Sequence, residues 1–267
     1  MVNTGLKINI FGLTDVGRVR THNEDAVGWD ERVGLAILAD GMGGHNAGEV
    51  ASDMAVHKIR SALDDVLSPD ILQSGMVNYQ EAVHDAIAYA NHEIYQASHH
   101  RAECAGMGTT VVMTFFHNGE VILANVGDSR IYRFRDNALA QVTSDHSLVQ
   151  EMIDNGFLSA EQAQTATNRN LITRALGIGE QVEIDICVEP TQPGDVYLLC
   201  SDGLSDMVPE GEIDAILQQS HTNPEEASRQ LVIRANEMGG ADNISVILVN
   251  VSEAFSDERG LDDKQVD

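Results

Sequence analysis

Acidic residues stand in this chain where strand-length apolar runs stop or are about to begin. Glu24-Asp25 follow Arg20, Asp40 follows Leu35-Ala-Ile-Leu-Ala39, Asp202 follows Tyr197-Leu-Leu-Cys-Ser201, and Asp242-Asn243 precede Ile244-Ser-Val-Ile247. Strand ends are rigid positions, so these carboxylates are expected to converge. Converging carboxylates repel one another and retain protons unless cations neutralise them. An all-oxygen donor set suits Mg2+ or Mn2+ better than Zn2+. A pair of such ions acidifies a shared water and offsets charge on phosphoryl oxygens, so the equipment fits hydrolysis of a phosphate ester. Arg20, four residues before Glu24, offers a planar fork for a phosphate dianion. His45, just past Asp40-Gly-Met-Gly-Gly44, is of the side-chain type that ordinarily exchanges protons near neutral pH and could protonate a leaving oxygen. Taken singly, each Asp-Gly or Asp-Asn pair is better read as a turn; taken together, with Arg20 and Glu24-Asp25, they read as ligands.

Other chemistries lack their signatures. No lysine follows a glycine, so there is no phosphate-cradling loop of the Walker type; a Gly-x-Ser-x-Gly elbow is missing, and His92-Glu93 lacks a second histidine at zinc-helix spacing. Cys104, Cys187 and Cys200 form no CxxC pair and are expected to be small buried hydrophobes in a reducing compartment. The 16 basic and 42 acidic residues give a formal charge of -26, which disfavours nucleic acid and anionic membrane surfaces as partners. The first eleven residues do not resemble a signal peptide, and no apolar run reaches the roughly 18 residues of a membrane span, so the expectation is a cytoplasmic protein.

The elements that must position these residues follow from periodicity. Apolar runs at 8–13 and 33–39 predict strands, the second delivering Asp40 into a Gly-rich loop. Helical spacing of Val56, Ile59, Leu63 and Val66, then of Val83, Ile87, Ala90 and Ile94, predicts a helix hairpin over 48–67 and 78–101. Segments 109–116, 120–126, 129–134 and 139–142, with turns at His117-Asn-Gly119, Gly127-Asp128 and Asp136-Asn137, predict an antiparallel meander. Residues 145–180 are polar and weakly periodic, predicting short helices in a mobile flap. Strands at 184–188, 196–200 and 244–251 enclose helices at 213–219 and through Ala227, Leu231, Ala235 and Met238. Helix pairs bracketing two strand groups imply an α+β fold: a four-layer αββα sandwich, two antiparallel β-sheets flanked by helix pairs. One domain is expected over 1–251, followed by an acidic, disordered tail at 252–267.

Six motifs then carry a family likeness. Arg20-Thr-His-Asn-Glu-Asp25, Asp40-Gly-Met-Gly-Gly-His45, Gly108-Thr-Thr110, Asn125-Val-Gly-Asp-Ser-Arg130, Ser201-Asp-Gly-Leu-Ser-Asp206 and Asp242-Asn243, spread over 9–251, resemble the metal-dependent protein phosphatase 2C family, bacterial branch. The resemblance implies hydrolysis of phosphoserine and phosphothreonine on proteins at a centre of two Mn2+ or Mg2+ ions. By position, Asp40 resembles the ligand bridging both ions. The Gly41 carbonyl and Asp25 resemble direct or water-mediated ligands, Asp202 and Asp242 complete the set, and Glu24 resembles a ligand reached through water. Asp128 with Asp202 matches the site of a third, weaker ion; without the resemblance Asp128 reads as a turn cap pairing with Arg130. Asp206 and Asn243 resemble near-site support, residues 145–180 match a flap implicated in substrate choice, and a cognate serine/threonine kinase is implied. The rival readings are a same-fold module that binds divalent cations or phosphoproteins without turnover, and an enzyme of the same scaffold acting on a phosphorylated anti-sigma antagonist or a small phosphoester.

Overall fold

A computed structural model of the chain describes residues 6–44, 47–64, 66–67, 77–159, 162 and 171–253. Strand β3 (Leu35–Met42) shows how its layers arise: Leu35, Ile37 and Ala39 join an apolar cluster with helical residues, whereas Ala36 and Leu38 join another between the sheets. Covered on both faces, the strand is a continuous apolar run in place of an alternating one.

One sheet runs in the order β1 (Leu6–Asp15), β11 (Ile244–Glu253), β10 (Val196–Cys200), β7 (Arg130–Arg135), β8 (Ala138–Gln141). The other runs β2 (Asp25–Asp30), β3, β5 (Val111–His117), β6 (Glu120–Val126), β9 (Asp185–Pro190), with β4 (Gly108–Thr109) paired to the end of β3. Neighbouring strands are antiparallel throughout, and Leu38, Val112, Leu123, Leu199 and Ile247 fill the space between the sheets. Each such side chain contributes roughly 1.5–3 kcal/mol when fully buried.

Helices α1 (Ala47–Asp64) and α2 (Tyr79–His100) press Ile59, Leu63, Ile87 and Ile94 onto the β3 sheet. After the short helices α3 (Leu148–Asp154) and α4 (Asp202–Ser205), α5 (Glu210–Ser220) and α6 (Pro224–Glu237) press Ile213, Leu217 and Leu231 onto the β11 sheet. Local signals set their starts: the Asn78 side chain accepts from Glu81 N–H, Ser147 from Gln150 N–H, and Asn223 from Glu226 N–H ahead of Pro224. The α+β, four-layer αββα sandwich is therefore as the periodicity implied.

Three features differ from expectation. Strand β2 has no counterpart among the predicted strands, because its half-buried residues show neither alternation nor a continuous apolar run. The meander divides: β5–β6 and β7–β8 are true hairpins, turning through positive φ at Asn118, Gly119, Asp136 and Asn137, but Gly127-Asp128 carries the chain from one sheet to the other. Cys187 is exposed on edge strand β9, unlike buried Cys104 and Cys200, since an edge strand over one sheet face leaves alternate residues in solvent. In the 145–180 segment, bridges Ser147↔Ile172 and Thr109↔Leu176 fasten the described limbs, while most of 160–170, His45 and the tail from 254 lie outside the described residues. Among the described residues no helix is long and apolar enough to cross a membrane.

Candidate metal and phosphate site

Strand direction alone gathers the predicted acids. Asp25 opens β2 directly opposite Asp40 near the end of β3. In the other sheet β10 stops at Cys200, opposite Val246 of β11, so Asp202 and Asp242 leave their strands at one end. Asp128 follows the end of β6 in the crossover between sheets. Stacking the sheets makes these ends coincide: Asp40 feels the charges of Asp25, Asp202, Asp128 and Asp242.

Neutral groups hold the acids in place. The Asp40 N–H donates to Thr110 Oγ1 at 3.1 Å, and its carbonyl accepts from Thr109 Oγ1 at 2.8 Å and Thr110 N–H at 2.9 Å. Ser201 Oγ donates to Asp25 Oδ2 at 2.9 Å and accepts from Ser245 N–H at 3.0 Å, linking one sheet's carboxylate to the other sheet. Buried Asn243 accepts from Glu24 N–H at 2.8 Å and donates to the His22 and Val16 carbonyls at 2.9 and 3.0 Å, pinning the loop that carries Arg20, Glu24 and Asp25. Gly41 admits no side chain, because a Cβ there would lie 2.1 Å from the Gly48 carbonyl oxygen and 2.5 Å from that of Glu24.

Burial raises the Asp25 carboxyl to about 6, although hydrogen bonds from Ser245 and Ser201 oppose the rise. Burial, reinforced by Asp128 and Asp242, raises Asp202 to about 8, and burial with Asp145 nearby raises Asp128 to about 6. Asp40 is pushed well above the usual carboxylate range by burial and by the four aspartates around it. Glu24 is raised as well, its burial outweighing the attraction of Arg20. Asp25 Oδ1 is buried with no hydrogen-bond partner among the described residues. Buried carboxyls raised by burial and by one another, one oxygen lacking a hydrogen-bond donor among the described residues, fit a hard divalent cation.

Among the described residues no three His, Cys, Asp or Glu side chains close into a ready cage. The resemblance also assigns the Gly41 carbonyl and water as donors, so the set it implies does not rest on side chains alone. At the rim, Arg20 Nη2 donates to Asp242 Oδ2 at 2.6 Å, with half of the Arg20 side chain in solvent. A phosphate dianion could therefore reach the guanidinium and share it with Asp242. Sequence pattern singles out neither Ser201 nor Thr110 as a holder of the acids, although each lies in a quoted motif; the signal is a hydroxyl at the end of an otherwise buried strand.

Two face-to-face sheets with aspartates gathered at one end define a scaffold for metal-assisted phosphate-ester hydrolysis. The sequence model of the family described as Protein phosphatase 2C matches residues 17–235. The serine/threonine phosphatase stp of Listeria monocytogenes serotype 4b (strain F2365) is 42% identical over 239 residues, covering 88% of this chain and 93% of that protein. The solved serine/threonine phosphatase PstP/Ppp of Mycobacterium tuberculosis superposes with a TM-score of 0.82 at 34% identity, covering 92% of this chain and 100% of that one. The solved catalytic domain of serine threonine protein phosphatase PstP, in complex with 2 manganese ions, gives 0.79 at 35% identity over 93% of this chain and 100% of that one. The chain belongs to the protein phosphatase 2C family.

Proposed function

We propose that this protein hydrolyses phosphoserine and phosphothreonine in other proteins with two divalent ions, Mn2+ or Mg2+. Asp25, Asp40, the Gly41 carbonyl, Asp202 and Asp242 would hold them, with Glu24 acting through water. The observation that carries the reading is the gathering of Asp25, Asp40, Asp128, Asp202 and Asp242 at one end of the two sheets, where among the described residues Asp25 Oδ1 is buried without a hydrogen-bond donor. When bound, the ions would activate a water for in-line attack and offset charge on the phosphoryl oxygens. Arg20 orients the phosphate through its exposed fork while Asp242 keeps the guanidinium at the rim. His45 gives a proton to the departing serine or threonine oxygen. Ser201, Thr110 and Asn243 preserve the geometry between turnovers.

Asp128 and Asp202 would hold a third, weaker ion, which their mutual repulsion supports. A net charge of -26 supports protein substrates over nucleic acid or anionic membranes, and unpaired Cys104, Cys187 and Cys200 support a reducing cytoplasm in which a serine/threonine kinase supplies the phosphorylated pool. Residues 1–251 would act as one catalytic domain, with 145–180 as its flap. The test is release of phosphate from a phosphothreonine peptide in Mn2+, in EDTA, and by Asp40→Ala. Turnover is expected in the first condition alone; undiminished turnover in EDTA or by the variant would overturn the assignment.

A further inference from the structure

His146 is almost completely buried, and the chemistry above gives it no task. Its ring and backbone meet the crossover between the sheets at two points and the returning limb at a third. Nδ1 accepts from Gly127 N–H at 3.1 Å, the His146 N–H donates to the Gly127 carbonyl at 2.9 Å, and the His146 carbonyl accepts from Thr173 N–H at 2.8 Å. A ring nitrogen that accepts from a backbone N–H carries no proton, so the proton of the neutral ring sits on Nε2. Nε2 lies 3.1 Å from Asp185 Oδ2 and 3.3 Å from Arg174 Nη1, which itself donates to the other carboxylate oxygen, Oδ1, at 2.9 Å. One carboxylate on edge strand β9 thus fixes both the ring and the arginine of the returning limb.

The held residue matters because of its neighbours. Gly127 has φ +112, and a Cβ there would lie 2.6 Å from the Thr110 side chain, the group that holds Asp40. The next residue is Asp128, and the Ser129 hydroxyl lies 2.7 Å from that of Thr110. A second latch lies alongside: Arg130 Nε and Nη2 make a forked contact with Asp145, the residue before His146, at 2.7–3.1 Å. A shift of the ring would therefore move the acid in the crossover and press on the threonine behind the bridging position.

We infer that His146 is a positioning residue for Asp128: its Asp185-oriented ring fixes the Gly127 peptide, which sets where the Asp128 carboxylate points. The inference rests on the proposed metal-dependent phosphatase reading, with Asp128 as a ligand of the weakest ion. Groups that orient metal ligands typically change metal affinity or activity about 10- to 100-fold when removed.

The test is calorimetric titration of Mn2+ into the whole chain and its variants, alongside kinetics on a phosphothreonine peptide. His146→Ala should weaken the weakest-bound Mn2+ about tenfold or more and lower kcat with little change in peptide KM, as Asp128→Asn should, leaving tighter binding in place. The double variant should be no worse than Asp128→Asn alone, because both act on one carboxylate. His146→Asn, whose side-chain oxygen can accept from Gly127 N–H, should recover most of the affinity. Should the alanine variant fail to fold, Asp185→Ala, at a half-exposed carboxylate, tests the same chain of contacts and should move the isotherm in the same direction. Unchanged Mn2+ binding in folded His146→Ala or Asp185→Ala, or losses that add fully to those of Asp128→Asn, would overturn the inference. A wild-type protein that binds no Mn2+ and releases no phosphate would instead overturn the phosphatase reading itself.

Discussion

Freed of divalent ions, the protein should lose stability as pH rises from 5 to 8, and Mn2+ should restore it. Burial and neighbouring aspartates move the Asp202 carboxyl from 3.8 to about 8. A folded-state pKa above the unfolded one means that the native state binds the proton more tightly. The stabilisation is therefore complete below the unfolded value and is lost as pH rises through the folded one. At roughly 1.4 kcal/mol per pKa unit, and with allowance for partial exposure, Asp202 withdraws about 3 kcal/mol between pH 5 and 8. Asp25, raised to about 6, withdraws about 1 kcal/mol more over the same window. For a chain of this size each kcal/mol moves the melting point by about 2–4 °C, so the chelated protein should melt roughly 8–16 °C lower at pH 8 than at pH 5. Circular dichroism melts in EDTA at fixed ionic strength measure this, with Asp202→Asn as the control. The variant should flatten most of the pH slope, whereas repulsion from the net charge of -26 persists in both proteins. Millimolar Mn2+ at pH 8 should raise the wild-type melting point and leave the variant much less affected. Equal pH slopes in the two proteins, or equal gains from Mn2+, would refute the reasoning.

Asn243→Ala should cost about 2–4 kcal/mol in urea unfolding, because it strands a buried N–H and two carbonyls around Glu24, His22 and Val16; a loss below about 0.5 kcal/mol would contradict the role given to Asn243. Arg20→Lys should lower kcat/KM about tenfold or more, since an ammonium cannot fork across a phosphate beside Asp242, and wild-type kinetics in the variant would remove the clamp from the account. His45→Gln should reduce kcat about a hundredfold on phosphothreonine peptide but far less on an aryl phosphate, whose leaving group needs no proton; equal losses on both substrates would remove the general-acid role.

Periodicity exposed most of the scaffold because each long element packs against one partner layer: Ile59 and Leu63 of α1, or Ile87 and Ile94 of α2, keep helical spacing since only one face meets a sheet. β2 leaves no periodic signal because its residues are half-buried without alternation. The Gly127-Asp128 dipeptide is equally suited to a hairpin, and only the strand pairing, β6 with β5 and β9 but β7 with β10 and β8, shows it to be a crossover. In the site, acids at strand ends were legible by type and place. Their supports were not legible from local pattern: Asn243 enters as a support only through the family likeness and Ser201 not at all, because Asn243 reaches Glu24 across 219 positions and Ser201 reaches Asp25 across 176. His146 was similarly hidden among ten histidines, its burial and its bond to Gly127 arising only when β6 and the segment after β8 meet.

The central claim is that aspartates from both sheets enclose a pair of hard cations. Anomalous diffraction at the manganese edge from crystals grown in Mn2+ measures it most directly. Two peaks about 3.5–4 Å apart, both beside Asp40 and ringed by Asp25, Asp202 and Asp242, are expected. Saturating manganese with no peak at that end of the sandwich, or with peaks only elsewhere on the acidic surface, would contradict it.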